Sequence, residues 1–216
     1  MHGERGVALG IVATILLGLA ADRFGGPWGQ PLVSVWTWLF LGALLWRAPA
    51  LRRPLLGCLL IATTGEIVLS LVLHLYDYRL GNLPLFVPPG HCLLYWLGLY
   101  VAPRLGRHLT TAIPWAAVGG VSILAVSGLD GLGPLLLALF LLCLRYGPAP
   151  RLYVSMFALS LLMELWGTAL GCWTWRSTLP LVDWPVTNPP LAAGAFYCVL
   201  DLLCGSLRHP QTCHSA

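Results

Sequence analysis

The chain has 216 residues, of which 58% are hydrophobic and only 9% charged, with a formal net charge of +4. A water-soluble domain carries about 25% charged residues, so this one cannot cover a water-facing surface and belongs in a lipid bilayer. All twelve Lys/Arg positions are arginine and form no cluster interleaved with aromatics, which excludes nucleic acid as a partner.

Eight apolar segments are predicted as helices, at 7–21, 31–46, 54–76, 91–103, 111–127, 134–145, 152–173 and 190–206. The fourth and sixth fall short of the ~20 residues that cross a bilayer, and need flanking residues or a thinned region. The first also fits a cleaved signal sequence, with a basic start and small residues at Gly18 and Ala20, which would leave seven spans. A layout of four plus four needs it retained.

Arginine placement tests this count. With the N-terminus inside, the inner segments hold Arg5, then Arg47, Arg52 and Arg53, then Arg104 and Arg107, then Arg145 and Arg151, and finally Arg208. The outer segments hold Arg23, Arg79 and Arg176. The excess alternates as the positive-inside rule requires, so both termini are expected in the cytoplasm, at the inner membrane if the cell is bacterial.

The seven cysteines, at 58, 92, 143, 172, 198, 204 and 213, show neither a C-x-x-C pair nor zinc spacing. Most fall in apolar spans and read as small hydrophobic residues. Cys92 and Cys172 fall near one face of the membrane, which leaves a disulfide between them open. No serine nucleophile motif, phosphate-binding glycine loop or His-x-x-x-His is present. Neither metal nor cofactor is expected.

Glu66 and Glu164 each lie inside an apolar run, 98 positions apart. At that same spacing Leu44–Arg53 aligns without a gap on Leu142–Arg151. The outer loops repeat as well. Tyr76-Asp77-Tyr78-Arg79 and Trp173-Thr174-Trp175-Arg176 are each followed by Leu-Pro-Leu and then by Pro-Pro. The expected fold is therefore an all-α polytopic bundle of about eight transmembrane helices, built as two tandem four-helix repeats, 1–108 and 109–216. With an even number of spans in each half, the repeats share orientation about an axis along the membrane normal. Each glutamate then lies roughly 18 Å from the inner helix end, at about 1.5 Å per residue, close to the midplane.

Helical spacing groups Thr63, Glu66, Ser70 and His74 on one face, and Ser160, Glu164, Gly167, Thr168 and Gly171 on another. Gly167 and Gly171 read as a small-xxx-small contact for a neighbouring helix. His91 and Tyr95 align with Gly98, and Tyr197 and Asp201 with Gly194. Tyr95 and Tyr197 stand at about the same distance past Pro-Pro. These residues outline a cavity with Glu66 and Glu164 as candidate catalytic groups, and with His91, Tyr95, Tyr197, Trp173, Trp175 and Asp201 as candidate substrate-binding groups. Tyr76, Tyr78, Trp173, Trp175 and Trp184 are placed at its mouth. A carboxyl group kept from water favours its neutral form and is then a Brønsted acid, and aromatic faces stabilise a developing cation. Three readings fit. The glutamates serve proton-transfer chemistry on a hydrophobic small molecule, coupling in a small-solute transporter, or helix packing in a membrane complex. Oligomeric state is left open by these features.

The stretch Glu164-Leu-Trp-Gly-Thr-Ala-Leu-Gly-Cys-Trp-Thr-Trp175, followed by Pro180-Leu181, resembles the Glu-x-x-Gly-Thr-x-x-Gly, aromatic-x-aromatic, Pro signature of membrane carotenoid-biosynthesis proteins of the carotenoid hydratase type. The duplicated layout is similar to that of lycopene cyclase-domain proteins, whose repeats carry a Trp-x-Tyr-like pair before Pro-Leu-Glu-Glu. The resemblance implies acid-initiated chemistry on the end group of a linear carotene, without redox change. It carries over Glu164, Gly167, Thr168, Gly171, Trp173 and Trp175, and in the first half Glu66, Tyr76, Tyr78 and Pro84. Where Pro-Leu-Glu-Glu would fall, this chain has Pro88-Pro89-Gly90-His91 and Asn188-Pro189-Pro190, so the cyclase glutamates are replaced.

Overall fold

The computed structural model describes residues 2–180 and 182–207; Leu181, Arg208 and Cys213 lie outside them. Eight helices follow one another: α1 (His2–Phe24), α2 (Gly26–Arg47), α3 (Arg52–Glu66), α4 (Val87–Val101), α5 (Arg107–Val126), α6 (Gly133–Tyr146), α7 (Pro150–Leu170) and α8 (Gly194–Gly205). Among the described residues, five helical stretches are long and apolar enough to cross a membrane, namely Gly3–Phe24, Gly26–Arg47, Pro49–Val72, Arg107–Val126 and Pro150–Leu170. The chain is thus a multi-pass membrane helix bundle, and the residues on its outside are those a lipid contact favours, such as Leu17, Leu39 and Ile123.

Two boundaries differ from expectation in ways that shape the site. The third helix does not run to 76. After Glu66 the backbone widens into a π-helical turn over Ile67–Val72 and leaves the helix axis at Leu73. A π turn carries an extra residue per turn and is frequent at functional sites. His74 consequently lies beyond the helix, with φ +49°, and does not share a face with Glu66. The eighth helix starts at Gly194 rather than 190, because Pro189 and Pro190 stay outside it; Pro88 and Pro89 instead form the first turn of α4, where their missing N–H groups cost nothing.

Between α3 and α4, and again between α7 and α8, the chain forms a three-residue strand, β1 (Tyr76–Tyr78) and β2 (Trp173–Trp175). The two pair antiparallel, Tyr76 with Trp175, Asp77 with Thr174 and Tyr78 with Trp173. The ladder continues one bond further at each end, Arg79 N–H donating to Cys172 O and Arg176 N–H to Leu75 O, both at 2.9 Å. Strand side chains alternate, so Tyr76, Tyr78, Trp173 and Trp175 are buried while Asp77 and Thr174 face outward. Ser70, in the π turn, donates to Tyr76 O at 3.2 Å and anchors the ladder to the helix that carries Glu66. At the outer rim, Arg79 donates to Asp22 O at 2.6 Å and to Asp22 Oδ1 at 3.2 Å, tying the ladder to the last turn of α1.

Close helix contacts rest on small residues, as expected where apolar side chains gain nothing by leaving lipid. A Cβ at Gly194 would stand 2.5 Å from Phe157 O, so α8 lies directly on the backbone of α7. Beside it Phe140 and Phe157 stack with ring centroids 4.1 Å apart. Six cysteines fall within the described residues. All are buried and none is in a disulfide; Cys92 and Cys172 contact different carbonyls, Leu55 O and Leu19 O.

Candidate functional site

Glu66 ends α3 and Glu164 lies in the last third of α7; both are buried and both face inward. Each carboxylate accepts from the two aromatic residues of the strand that follows it. Tyr76 and Tyr78 donate their hydroxyls to Glu66 Oε2 at 2.8 and 2.6 Å. Trp173 and Trp175 donate their indole N–H groups to Glu164 Oε2 at 2.8 and 3.0 Å. The two strands of the ladder bring these four rings into contact, Tyr76 with Trp175 at 4.8 Å and Tyr78 with Trp173 at 6.2 Å between centroids. The aromatic pairs were expected at the mouth of the cavity. They are instead its buried roof, and of that group only Trp184 remains outside, at 45% exposure.

His91, in the second turn of α4, supplies a third partner for Glu66. Its Nδ1 lies 2.9 Å from Val87 O, a group that only accepts, so Nδ1 carries a proton and donates. Its Nε2 faces Glu66 Oε1 at 3.4 Å. A neutral imidazole protonated at Nδ1 offers a lone pair at Nε2, and a carboxylate oxygen offers another. The contact is attractive only when one proton lies between them, on His91 or on Glu66. The His91 ring also stacks on Tyr197 at 5.1 Å and 6°.

The two carboxyl groups, Tyr76, His91 and Tyr197 form a polar layer with a chamber on each side. One chamber, of about 720 Å³, lies between α3 and α8, with Leu139 of α6 and Trp175 completing its wall. This falls in the ~300–1,000 Å³ range of small-molecule sites. Its rim residues Leu60 and Leu203 are 71% and 46% exposed, so it opens sideways between the helices where lipid would lie. The other chamber, of about 70 Å³, lies among α1, α2, α4 and α7, with Trp173 in its wall.

Of the residues expected to bind substrate, His91, Tyr197, Trp173 and Trp175 therefore meet the carboxylates. Tyr95 and Asp201 do not line either chamber. Tyr95 is fully buried in the core beside α1, α2 and α3, one turn beyond His91. Asp201 is buried one turn beyond Tyr197, within electrostatic range of Tyr153, Cys143 and Cys198. Tyr78 and Tyr76, expected only as rim, are ligands of Glu66. The signal that marked them is the aromatic-x-aromatic spacing, whose period of two is that of a strand with both rings on one face. No cluster of His, Cys, Asp and Glu that could hold a metal ion occurs among the described residues.

Gly167 has a different use from the expected helix–helix contact. The indole of Trp173 lies flat against its Cα, so that a Cβ there would overlap the ring. Gly171, with φ +70°, ends α7 in the left-handed conformation and turns the chain back so that β2 passes over Glu164. Gly167→Ala should therefore lift Trp173 away from Glu164 and destabilise the fold by about 1–3 kcal/mol, the usual range for overpacking. Gly65→Ala, next to Glu66 with open space at its Cβ, should be neutral or slightly stabilising. Denaturant unfolding in detergent, read beside the near-ultraviolet circular dichroism of the tryptophans, compares the two. Equal behaviour would remove the indole–glycine contact from the account.

Comparison with protein-family models, curated proteins and solved structures yields no match.

Proposed function

We propose that the protein is an integral-membrane enzyme that acts by proton transfer on a hydrophobic, isoprenoid-like substrate, as an isomerase or lyase of the carotenoid-biosynthesis kind that the sequence resembles. The observation that carries this reading is the meeting of two buried carboxyl groups at the floor of an apolar chamber open to the bilayer. Ionisable groups at membrane depth are expensive and mark function by default.

The donors around the two carboxyl groups divide their roles. Glu66 faces two phenolic hydroxyls and an imidazole; Glu164 faces two indole N–H groups and no cation. In this reading Glu164, held by the two indole donors, serves as the acid, and Glu66, beside His91, as the base. Glu164 gives its proton to one carbon of a double bond, leaving a carbocation on the next carbon and a carboxylate on Glu164. The Glu66 carboxylate then removes a proton from a neighbouring carbon, the double bond re-forms in a new position, and the proton returns to Glu164 for the next turnover. No electron is gained or lost. The faces of Tyr76 and Trp175 border the chamber where the cation would form.

The same reading takes the chain as two tandem repeats, 1–108 and 109–216. In support, Leu44–Arg53 and Leu142–Arg151 match at the spacing that separates Glu66 from Glu164, and each stretch joins the end of one helix to the start of the glutamate helix. The ladder bonds of Arg79 and Arg176 are mutually symmetric about Asp77 and Thr174. Helix pairings recur too, α1 on α2 and α5 on α6, α3 on α4 and α7 on α8, α4 on α7 and α8 on α3. In the same reading both termini are cytoplasmic, which the arginine distribution supports.

A small-solute transporter or a packing partner in a membrane complex is the alternative. The apolar chamber wall and its sideways opening favour the enzyme, since a transporter needs a polar path to one aqueous side. The test is mass spectrometry of lipid extracts from cells with and without the protein, supplied with linear isoprenoid hydrocarbons. A product isomeric with its precursor, or differing by one water, is expected. Unchanged extracts across such substrates would remove the enzymatic reading.

A further inference from the structure

The two chambers flanking the carboxylate layer are unequal, and helix packing accounts for the difference. The small chamber faces α4 and α7, and α1 lies across that pair, contacting both, with Ile15 and Leu19 filling the space. By position in the chain α5 would do the same for α8 and α3. It packs on α6 and α7 instead, and the α3–α8 groove is left open at Leu60 and Leu203. One face of the carboxylate layer thus meets only a small chamber without exposed lining residues, and the other opens to the bilayer past Leu60 and Leu203.

Resting on the enzymatic reading above, we infer that an apolar substrate enters sideways from the bilayer between α3 and α8 and reaches the carboxylate layer from that side alone. The walls name the chemistry. Along the groove the side chains are Leu60, Ile61, Val68, Val199 and Leu200, with no charged group until Glu66, Glu164 and His91 at its inner end. An amphiphile with a bulky polar head is therefore unsuited, because its head would have to cross an apolar passage. The α4–α7 side, with a chamber of about 70 Å³, has no room for a second chain end. A symmetric molecule with two reactive ends must leave and return reversed to be processed twice.

The experiment uses the full chain in phosphatidylcholine nanodiscs and a linear isoprenoid hydrocarbon carrying a terminal diazirine. Photolabelling followed by peptide mapping should place the probe on α3 and α8 and its end at the carboxylate layer. Tryptophan at both rim positions, Leu60→Trp with Leu203→Trp, should cut labelling at the layer at least about tenfold. Both positions are exposed, so the fold should tolerate the change. Leu39→Trp, on the lipid-facing side of α2, is the control and should leave labelling unchanged. Labelling on Thr37 or Met163 of the small chamber, no labelling at all, or full labelling in the rim variant overturns the inference. With a symmetric substrate the singly modified product should precede the doubly modified one, and simultaneous appearance counts against it. The two readings separate cleanly. Labelling of the groove without turnover leaves the binding mode standing and removes the acid chemistry. Turnover with labelling elsewhere does the reverse.

Discussion

Glu164→Gln should leave a folded protein that still admits substrate and has lost turnover by about 10²–10⁴-fold, the contribution of a positioned general acid. The amide has the size of the acid, and its carbonyl oxygen can still accept from Trp173 and Trp175 at the distances seen for Oε2. What it cannot do is release a proton. Stability should stay within about 1 kcal/mol of the parent, because both buried indole N–H groups keep an acceptor. Glu164→Leu is the informative contrast. It leaves two buried indole N–H groups without an acceptor, at a cost of about 1–3 kcal/mol for each. Product formation by mass spectrometry, read beside thermal unfolding in detergent, distinguishes the possibilities. If Gln lowers protein level and stability while the specific activity of the folded fraction is unchanged, Glu164 serves packing and the acid chemistry is wrong.

The class of protein and the position of the two glutamates inside apolar helices were legible in the sequence for a simple reason. Both depend on the mean apolarity of long stretches and on the cost of a carboxylate there, and neither needs tertiary information. Other features required knowing where a helix stops. Carrying the 3.6 period past Glu66 put His74 on the same face, but the backbone widens into a π turn at Ile67 and the period no longer holds. Counting from Pro-Pro paired Tyr95 with Tyr197. In the fold the prolines open α4 and remain outside α8, so Tyr197 is the fourth residue of its helix and Tyr95 the ninth of its own. His91, the fifth, is the residue that stacks on Tyr197. The ladder was hidden for another reason. Three residues are too few for alternation to rise above chance, and β1 and β2 pair only with each other across nearly a hundred positions. Aromatic pairs in outer loops of a membrane protein also fit the ordinary interfacial belt. Their real role emerges only when both strands fold inward over the glutamates. Gly167 shows the same limit, since a glycine four residues from another fits a helix contact until the ring of Trp173 is seen lying on it.

Glu66→Ala is expected to be among the most destabilising single changes, at about 3–5 kcal/mol, as when one member of a buried polar pair is removed. The reason is what it leaves behind. Tyr76 and Tyr78 are buried with their hydroxyls aimed at Glu66 Oε2, and Nε2 of His91 is aimed at Oε1, so one deletion strands three polar groups under the ladder. The size of the loss should therefore depend on the tyrosines. Tyr76→Phe and Tyr78→Phe together remove the stranded hydroxyls while keeping both rings and their contacts with Trp175 and Trp173. Added to Glu66→Ala, they should restore part of the stability, since taking away both partners of a buried hydrogen bond costs much less than taking one. In the parent background the same pair of changes should destabilise, because Glu66 loses two donors. The sign reversal between the two backgrounds is the signature of direct coupling, and groups in contact show interaction energies of about 0.5–3 kcal/mol. Denaturant unfolding of the four proteins in one detergent measures it. Additive effects, with no rescue, would mean that the carboxylate and the phenols do not depend on one another. The polar layer would then be a coincidence of packing, unable to give Glu66 and Glu164 different roles.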